Sequence, residues 1–124
     1  MSVKKLGFYK ELKYGDPQAV SIRERQFLPP DLKTKVVCYL RQGPVLAVST
    51  ALAVDYFTGE EICRQTFCTD GEWLWFGELA HYVDQYDTVL DPDFLSTVEV
   101  RGEPTLTERE LRDVEDVIFQ STND

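Results

Sequence analysis

The dipeptide Asp70-Gly71 constrains the fold more than any other local feature, because it separates two runs of strand-forming residues. A tight type I′ turn needs positive φ at both central positions, which aspartate tolerates and glycine adopts without a steric cost. The sequence therefore predicts a hairpin that joins a strand over residues 62–69 to a strand at Trp73-Leu74-Trp75.

Two further strands are predicted before this hairpin. Residues 45–57 carry apolar side chains on both parities, which is typical of a strand that is covered on both faces. The turn-forming segment Thr58-Gly59-Glu60 then leads into the hairpin. Residues of one parity near the N-terminus favour a half-buried strand at the edge of the sheet. These residues are Leu6, Phe8, Lys10 and Leu12.

Four helices are predicted from capping residues and from apolar stripes at helical spacing. The first begins at Pro30 and ends before Gly43, and the second follows Gly77. A short third helix begins at Asp91-Pro92, and a capping box formed by Thr107 and Glu110 begins the fourth. The four stripes are Leu32, Val36, Val37 and Leu40; Leu79, Tyr82, Val83 and Tyr86; Phe94, Leu95 and Val98; and Leu111, Val114, Val117 and Ile118.

These elements predict an α+β fold, in which a small antiparallel β-meander of three to four strands is packed by three to four α-helices. Residues 18–27 fit either a short helix that begins at Asp16-Pro17 or an alternating strand. A chain of 124 residues can bury one ordinary core but is short for two. Residues 1–124 are therefore expected to form a single domain.

The sequence predicts a cytoplasmic protein without membrane contact. Its longest apolar stretch is far shorter than the roughly 20 residues that span a bilayer. Charged residues such as Lys10 and Lys13 interrupt any apolar region of an N-terminal signal peptide. The odd set of Cys38, Cys63 and Cys68 has no zinc or redox spacing, and these residues are expected to be reduced thiols at core or strand positions.

The net charge of −9 is unevenly distributed along the chain. Residues 1–42 hold nine of the thirteen basic residues, whereas eighteen of the twenty-two acidic residues follow them. An acidic region of this size disfavours a nucleic-acid ligand, because binding phosphates requires clustered lysine and arginine. It favours a basic protein partner, whose association the electrostatic field accelerates.

No pattern for catalysis, a cofactor or a metal is found in the sequence. His81 is the single histidine, and Glu78-Leu79-Ala80-His81 provides only one copy of a Glu-x-x-His motif that di-iron bundles need twice. His81 is about 200° from Leu79 around a helix, which predicts a solvated position away from the core stripe. The chain is thus expected not to be an enzyme, with a dispersed carboxylate site as the alternative.

Aromatic residues around the hairpin have two interpretations. Trp73 and Trp75 share one strand parity, and Tyr82 and Tyr86 follow on the next helix. Large aromatics at these spacings are usually core, but an exposed rim bordered by carboxylates is also what a binder of a basic protein would present. On the second interpretation, the predicted partner-binding residues are Asp70, Glu72, Trp73, Trp75, Asp84, Asp87 and, on the last helix, Glu108, Asp113 and Asp116.

Residues 36–95 resemble a group of small uncharacterised bacterial proteins. The matching segments are Tyr39-Leu40-Arg41-x-Gly43, Thr69-Asp70-Gly71-x-Trp73-x-Trp75, Leu79-x-x-Tyr82-Val83-x-x-Tyr86 and Phe94-Leu95. A proline commonly follows the second tryptophan in that pattern, whereas this chain has Phe76. Some of these proteins are associated with toxin and immunity genes, so the resemblance implies similarity to immunity proteins of polymorphic or contact-dependent toxin systems. It implies no catalytic residue.

Three functional hypotheses follow. The first is a cytosolic immunity or inhibitor protein that binds a basic toxin domain, such as a nuclease, one to one through the acidic part of the chain. The second is a structural or regulatory module that forms a homodimer through exposed aromatic residues. The third is an enzyme with an unrecognised carboxylate site.

Overall fold

A computed structural model describes residues 3–121, and the side chains as far as residue 116. It contains four strands and four helices, which confirms the α+β class and the strand number. In chain order the elements are β1 (Lys4–Lys5), α1 (Pro30–Arg41), β2 (Val45–Val54), β3 (Glu61–Thr69), β4 (Trp73–Phe76), α2 (Leu79–Tyr86), α3 (Pro92–Arg101) and α4 (Glu108–Ser121).

The strands form one mixed sheet in the order β1-β4-β3-β2. β2, β3 and β4 make the predicted antiparallel meander, whereas β1 pairs with β4 in parallel. The predicted N-terminal strand at residues 6–12 is wrong in position, because β1 comprises only Lys4 and Lys5 and Gly7 turns the chain with φ of 70°. The residues that follow cover the sheet instead of lengthening it, so Phe8 is buried without belonging to a strand.

β4 lies between two layers of core. Trp73 and Trp75 face the helices, and Leu74 and Phe76 face the N-terminal segment. All four residues are buried, because β4 is an inner strand whose faces are both covered. The period of two in this strand therefore divides its side chains between two apolar layers.

β2 departs most from the prediction. It is the last strand of the sheet, and its side chains are largely exposed instead of covered on both faces. Val45, Val48, Leu52 and Val54 are 52%, 57%, 51% and 48% exposed. The prediction failed because apolar residues on both parities also occur in an edge strand, and only the sheet order separates the two cases. Its pairing with β3 is interrupted between Val48 and Leu52.

The β3–β4 hairpin is confirmed, but its turn is not type I′. Gly71 has φ of 95°, whereas Asp70 is not among the described residues with positive φ. Asp70 instead accepts hydrogen bonds at its Oδ1 from the backbone amides of Glu72 (2.9 Å) and Trp73 (2.7 Å). An aspartate side chain that bonds amides two and three residues ahead stabilises a turn without positive φ.

The helices begin where their caps predict. Pro30 starts α1, and Asp91 caps α3 by accepting from the amide of Asp93 at 2.9 Å. The capping box of α4 is formed by reciprocal hydrogen bonds between Thr107 and Glu110. Val117 and Ile118, predicted for the apolar stripe of α4, lie outside the residues whose side chains are described.

The remaining sequence predictions have mixed outcomes. Residues 18–27 adopt neither a helix nor a strand, apart from one bridge between Arg25 and Thr88. The three cysteines are free; Cys68 is buried and Cys63 lies on β3, as predicted, whereas Cys38 is exposed on α1 and so occupies neither a core nor a strand position. Within residues 3–121, none of the helices combines the length and apolar composition needed to cross a bilayer.

Candidate functional site

Three of the nine predicted partner-binding residues lie in the core. Asp70 and Trp73 are 1% exposed, and Trp75 has no exposed surface. The structure thereby selects the core interpretation of the aromatic group and removes these three side chains from any surface contact. The interpretation as an exposed rim is corrected because helices α1 and α3 cover this face of β4.

The two indole rings are positioned by hydrogen bonds as well as by packing. Trp75 donates from Nε1 to the carbonyl of Leu40 at 3.1 Å, and Trp73 donates to the hydroxyl of Thr97 at 3.3 Å. Phe94 packs edge-on against both rings, with centroid distances of 5.6 Å and 6.0 Å. Buried indoles normally find such partners for their N–H groups, so this cluster is structural.

Asp70 connects the hairpin to α1 and α3. Its Oδ2 accepts from the hydroxyl of Tyr39 at 2.5 Å and lies 3.9 Å from Nη1 of Arg101. That guanidinium also donates to the Asp70 carbonyl at 2.8 Å. Burial, followed by the hydrogen bond to Asp70, raises the pKa of Tyr39. Asp70 is thus a buried structural carboxylate.

Three other predicted residues are already paired within the chain. Glu72 lies 3.5 Å from Lys4, Asp84 lies 3.9 Å from Arg41, and Asp87 lies 2.9 Å from Lys33. Each basic partner comes from the N-terminal third, so folding brings the two oppositely charged parts of the sequence together here. Intramolecular pairing lowers the charge that these carboxylates offer to another protein.

The last three predicted residues, Glu108, Asp113 and Asp116, are exposed on α4. They belong to a longer acidic segment, residues 91–116, which holds nine carboxylates against three arginines. None of the ion pairs among the described residues includes a carboxylate of this segment. The exposed members are Asp91, Asp93, Glu99, Glu103, Glu108, Glu110, Asp113 and Asp116.

A buried carboxylate that the sequence analysis missed fastens the end of β2 to α2. Asp55 is 4% exposed, and its Oδ2 lies 2.7 Å from Nε2 of His81 and accepts from the Tyr86 hydroxyl at 2.8 Å. Its Oδ1 accepts from the amides of Phe57 and Thr58. His81 is 31% exposed, so the predicted histidine away from the core stripe is only partly solvated, because Asp55 covers part of its ring. The loop after β2 covers the side of α2 that the helical spacing leaves away from the core.

Asp55 is expected to stabilise the folded protein less as the solution becomes acidic. Burial raises its pKa, but the hydrogen bonds from His81, Tyr86 and the loop amides outweigh that effect and leave the pKa below its ordinary value. A lowered folded-state pKa stabilises the fold above the unfolded value of about 3.9, and this contribution is lost as pH falls further. Asp55→Asn should cost about 1.5–3 kcal/mol at pH 7 and less at pH 3.

Urea denaturation of both proteins at pH 7 and pH 3 measures this difference. Asp93→Asn, at an exposed carboxylate, is the matched control and should change stability by less than about 0.5 kcal/mol at either pH. An Asp55→Asn cost that is equal at the two pH values would contradict the assignment.

A cavity of about 320 Å³ lies between the N-terminal turn and the irregular part of β2, and we call it the Glu78 cavity. Glu78 is 5% exposed. Its Oε1 accepts from the Gln65 side-chain amide at 3.1 Å, whereas Oε2 has no hydrogen-bond partner among the described residues. The lining residues are Leu12, Lys13, Tyr14, Ala51, Leu52, Ala53, Val54, Gln65, Phe76, Glu78 and Tyr82.

The polar side chains of the cavity lining are Lys13, Tyr14, Gln65, Glu78 and Tyr82, beside six apolar residues. Burial raises the pKa of Glu78 against the lowering effect of the Gln65 hydrogen bond. The sequence placed Glu78 and His81 in one motif, but their side chains have different partners, Gln65 and Asp55.

The described residues contain no group of three or more His, Cys, Asp or Glu side chains arranged to hold a metal ion. Comparisons with known proteins found no family model, no curated protein and no solved structure that matches this chain.

Proposed function

We propose that this chain is a non-catalytic immunity or inhibitor protein of the cytoplasm, which neutralises a basic bacterial toxin domain by binding it one to one. The observation that carries the proposal is the acidic segment, residues 91–116, whose carboxylates are mostly exposed and form no ion pair among the described residues. An acidic surface without internal counter-charges favours a partner that supplies them.

The distribution of paired and unpaired carboxylates narrows the contact surface. Glu72, Asp84 and Asp87 each have a basic partner in the chain. The strongest contact candidates are therefore the unpaired carboxylates of α3 and α4, with Glu108, Asp113 and Asp116 as the members already predicted from sequence.

A toxin nuclease domain has the complementary chemistry. Enzymes that hold nucleic acid present clustered lysine and arginine to the phosphates. An acidic protein surface can occupy such a cluster, and long-range attraction then speeds the encounter. The resemblance of residues 36–95 to proteins associated with toxin genes supports the same class of partner.

Charge reversal on α4 is expected to slow association with the basic partner. The partner is first recovered by pull-down of tagged protein from its own bacterium at low salt and identified by mass spectrometry. The triple variant Glu108→Lys, Asp113→Lys, Asp116→Lys should then reduce the association rate constant about tenfold or more in stopped-flow measurements. The effect should shrink as salt screens the charges.

A matched variant separates local contact from net charge. Glu24, Glu60 and Glu61 are exposed carboxylates outside the acidic segment. Their replacement by lysine changes the net charge equally but should slow association much less. Equal losses in the two triple variants, or an association rate that salt does not change, would contradict the proposed contact surface.

A self-associating module is the second candidate, and the edge position of β2 favours it. The exposed apolar residues Val45, Val48, Leu52 and Val54 line a strand whose outer edge has no paired strand among the described residues. Trp73 and Trp75 cannot provide this contact because they are buried. If the pull-down returns only the chain itself and sedimentation shows a dimer, this candidate replaces the first.

A further inference from the structure

We propose that the Glu78 cavity binds an alkylguanidinium group, whose N–H donors contact the Glu78 carboxylate. This inference goes beyond the proposed function and does not depend on it. The cavity shares no lining residue with the acidic segment.

The first argument is the incomplete hydrogen bonding of Glu78. Oε1 has Gln65 as its donor, but Oε2 is buried and has no partner among the described residues. Buried polar atoms in folded proteins nearly always have a partner. Because Glu78 lines the cavity, a bound molecule can supply the missing donor.

The second argument concerns charge. Glu78 is only 5% exposed, yet no ion pair among the described residues includes it. An ionised carboxylate in such a site is costly unless a cation and hydrogen bonds compensate it. A neutral ligand would provide a hydrogen bond only, whereas a cation with several N–H groups provides both interactions.

The third argument is the shape and composition of the cavity. Its volume of about 320 Å³ is at the lower end of the range of small-molecule sites. Ala51, Leu52, Phe76 and Leu12 provide an apolar wall for an alkyl chain, beside the polar group at Glu78. Tyr82 adds no free acceptor, because its hydroxyl donates to the Val54 carbonyl and accepts from the Tyr56 amide.

Three other titratable groups lie near Glu78, and one of them affects the binding of a cation. Tyr14 and Lys13 are exposed residues of the lining, and Cys63 on β3 is close enough for the Glu78 charge to raise its pKa in addition to burial. Lys13 carries the one positive charge of the lining and opposes a cationic ligand. Its ammonium lies 5.6 Å from the Tyr14 ring centroid.

An NMR titration with n-butylguanidinium tests the proposal. The probe should shift the side-chain amide signals of Gln65 saturably at pH 7, with a dissociation constant on the order of 1 mM. n-Pentanol, which has a similar chain and no charge, should bind at least about tenfold more weakly. A missing saturable shift, or equal binding of the alcohol, would overturn the proposal.

Variants locate the interaction. Glu78→Gln should weaken binding of n-butylguanidinium at least about tenfold, whereas Glu72→Gln, at an exposed carboxylate, should leave it unchanged. Equal weakening by both would indicate general attraction to an acidic protein and overturn the proposal. Lys13→Met should tighten binding about twofold, and it decides the question if Glu78→Gln does not fold. Weaker binding by Lys13→Met would count against a cation.

A second probe distinguishes the two sources of this chemistry. N-acetyl-arginine-methylamide carries the same alkylguanidinium between two backbone amides. Binding comparable to that of n-butylguanidinium would identify a protein side chain as the natural occupant, and binding of the free cation alone would identify a small molecule. Either result supports the site, and failure of both probes overturns it without bearing on the acidic segment.

Discussion

Replacing Asp70 with alanine is expected to lower the free energy of unfolding by about 3–5 kcal/mol. The substitution removes the acceptor of the Tyr39 hydroxyl and of two turn amides, and it takes the carboxylate away from Arg101. Removing one partner of a buried charged pair costs more stability than removing a partner of an exposed contact, because the groups left behind cannot reach water. Urea denaturation followed by circular dichroism measures the loss.

The neighbouring residue provides the control for Asp70. Glu72→Ala removes an exposed carboxylate from the same turn and should cost less than about 1 kcal/mol. Asp70→Asn keeps an acceptor oxygen for the turn amides but loses the charge, so we expect a smaller loss than with alanine. A cost for Asp70→Ala below about 1 kcal/mol would contradict the structural role of this carboxylate.

Replacing Trp75 with alanine is expected to cost about 3–5 kcal/mol. The ring has no exposed surface and packs against Tyr39 and Phe94. It also lies directly against Gly43, where an added Cβ would come within 2.3 Å of Cζ2 of the indole. The surrounding residues thus pack closely around the ring. A smaller side chain loses the transfer free energy of the buried apolar atoms and also leaves a cavity, which is a second cost.

The same denaturation measurement tests the Trp75 prediction. Val100→Ala, at a residue that is 86% exposed, should change the free energy of unfolding by less than about 0.5 kcal/mol. Trp75→Phe retains most of the apolar volume but cannot donate to the Leu40 carbonyl, and its cost should lie between the other two. Equal costs for Trp75→Ala and Val100→Ala would contradict a core position for the ring.

Some properties of the predicted site residues followed from local sequence patterns, whereas others depended on tertiary contacts. Exposure of Glu108, Asp113 and Asp116 followed from a helical period that assigns one face of α4 to the core, and the structure places them in solvent. Asp70 is an acidic residue like these three, but the turn, α1 and α3 enclose its side chain. No local pattern distinguishes an exposed carboxylate from one that a distant tyrosine and arginine will bind.

The hydrogen bonds of Asp55 and the Glu78 cavity also depend on contacts between distant residues. Asp55 and His81 are 26 positions apart, and Gln65 and Glu78 are 13 positions apart on different elements. Helical spacing correctly located His81 away from the apolar stripe of α2. It could not show that the loop after β2 covers that side, because loop paths depend on the whole sheet.

By itself, the sequence determined the hairpin, the helix starts and the α+β class, because turn residues, caps and apolar periods act within a few positions of the chain. Tertiary structure alone decided that β2 is an edge strand, that β1 is short and parallel, that the tryptophans are core, and which carboxylates are buried or paired. These properties depend on strand order and on contacts between distant residues, such as the hydrogen bond from the Tyr39 hydroxyl to Asp70. Side-chain periodicity alone does not determine them.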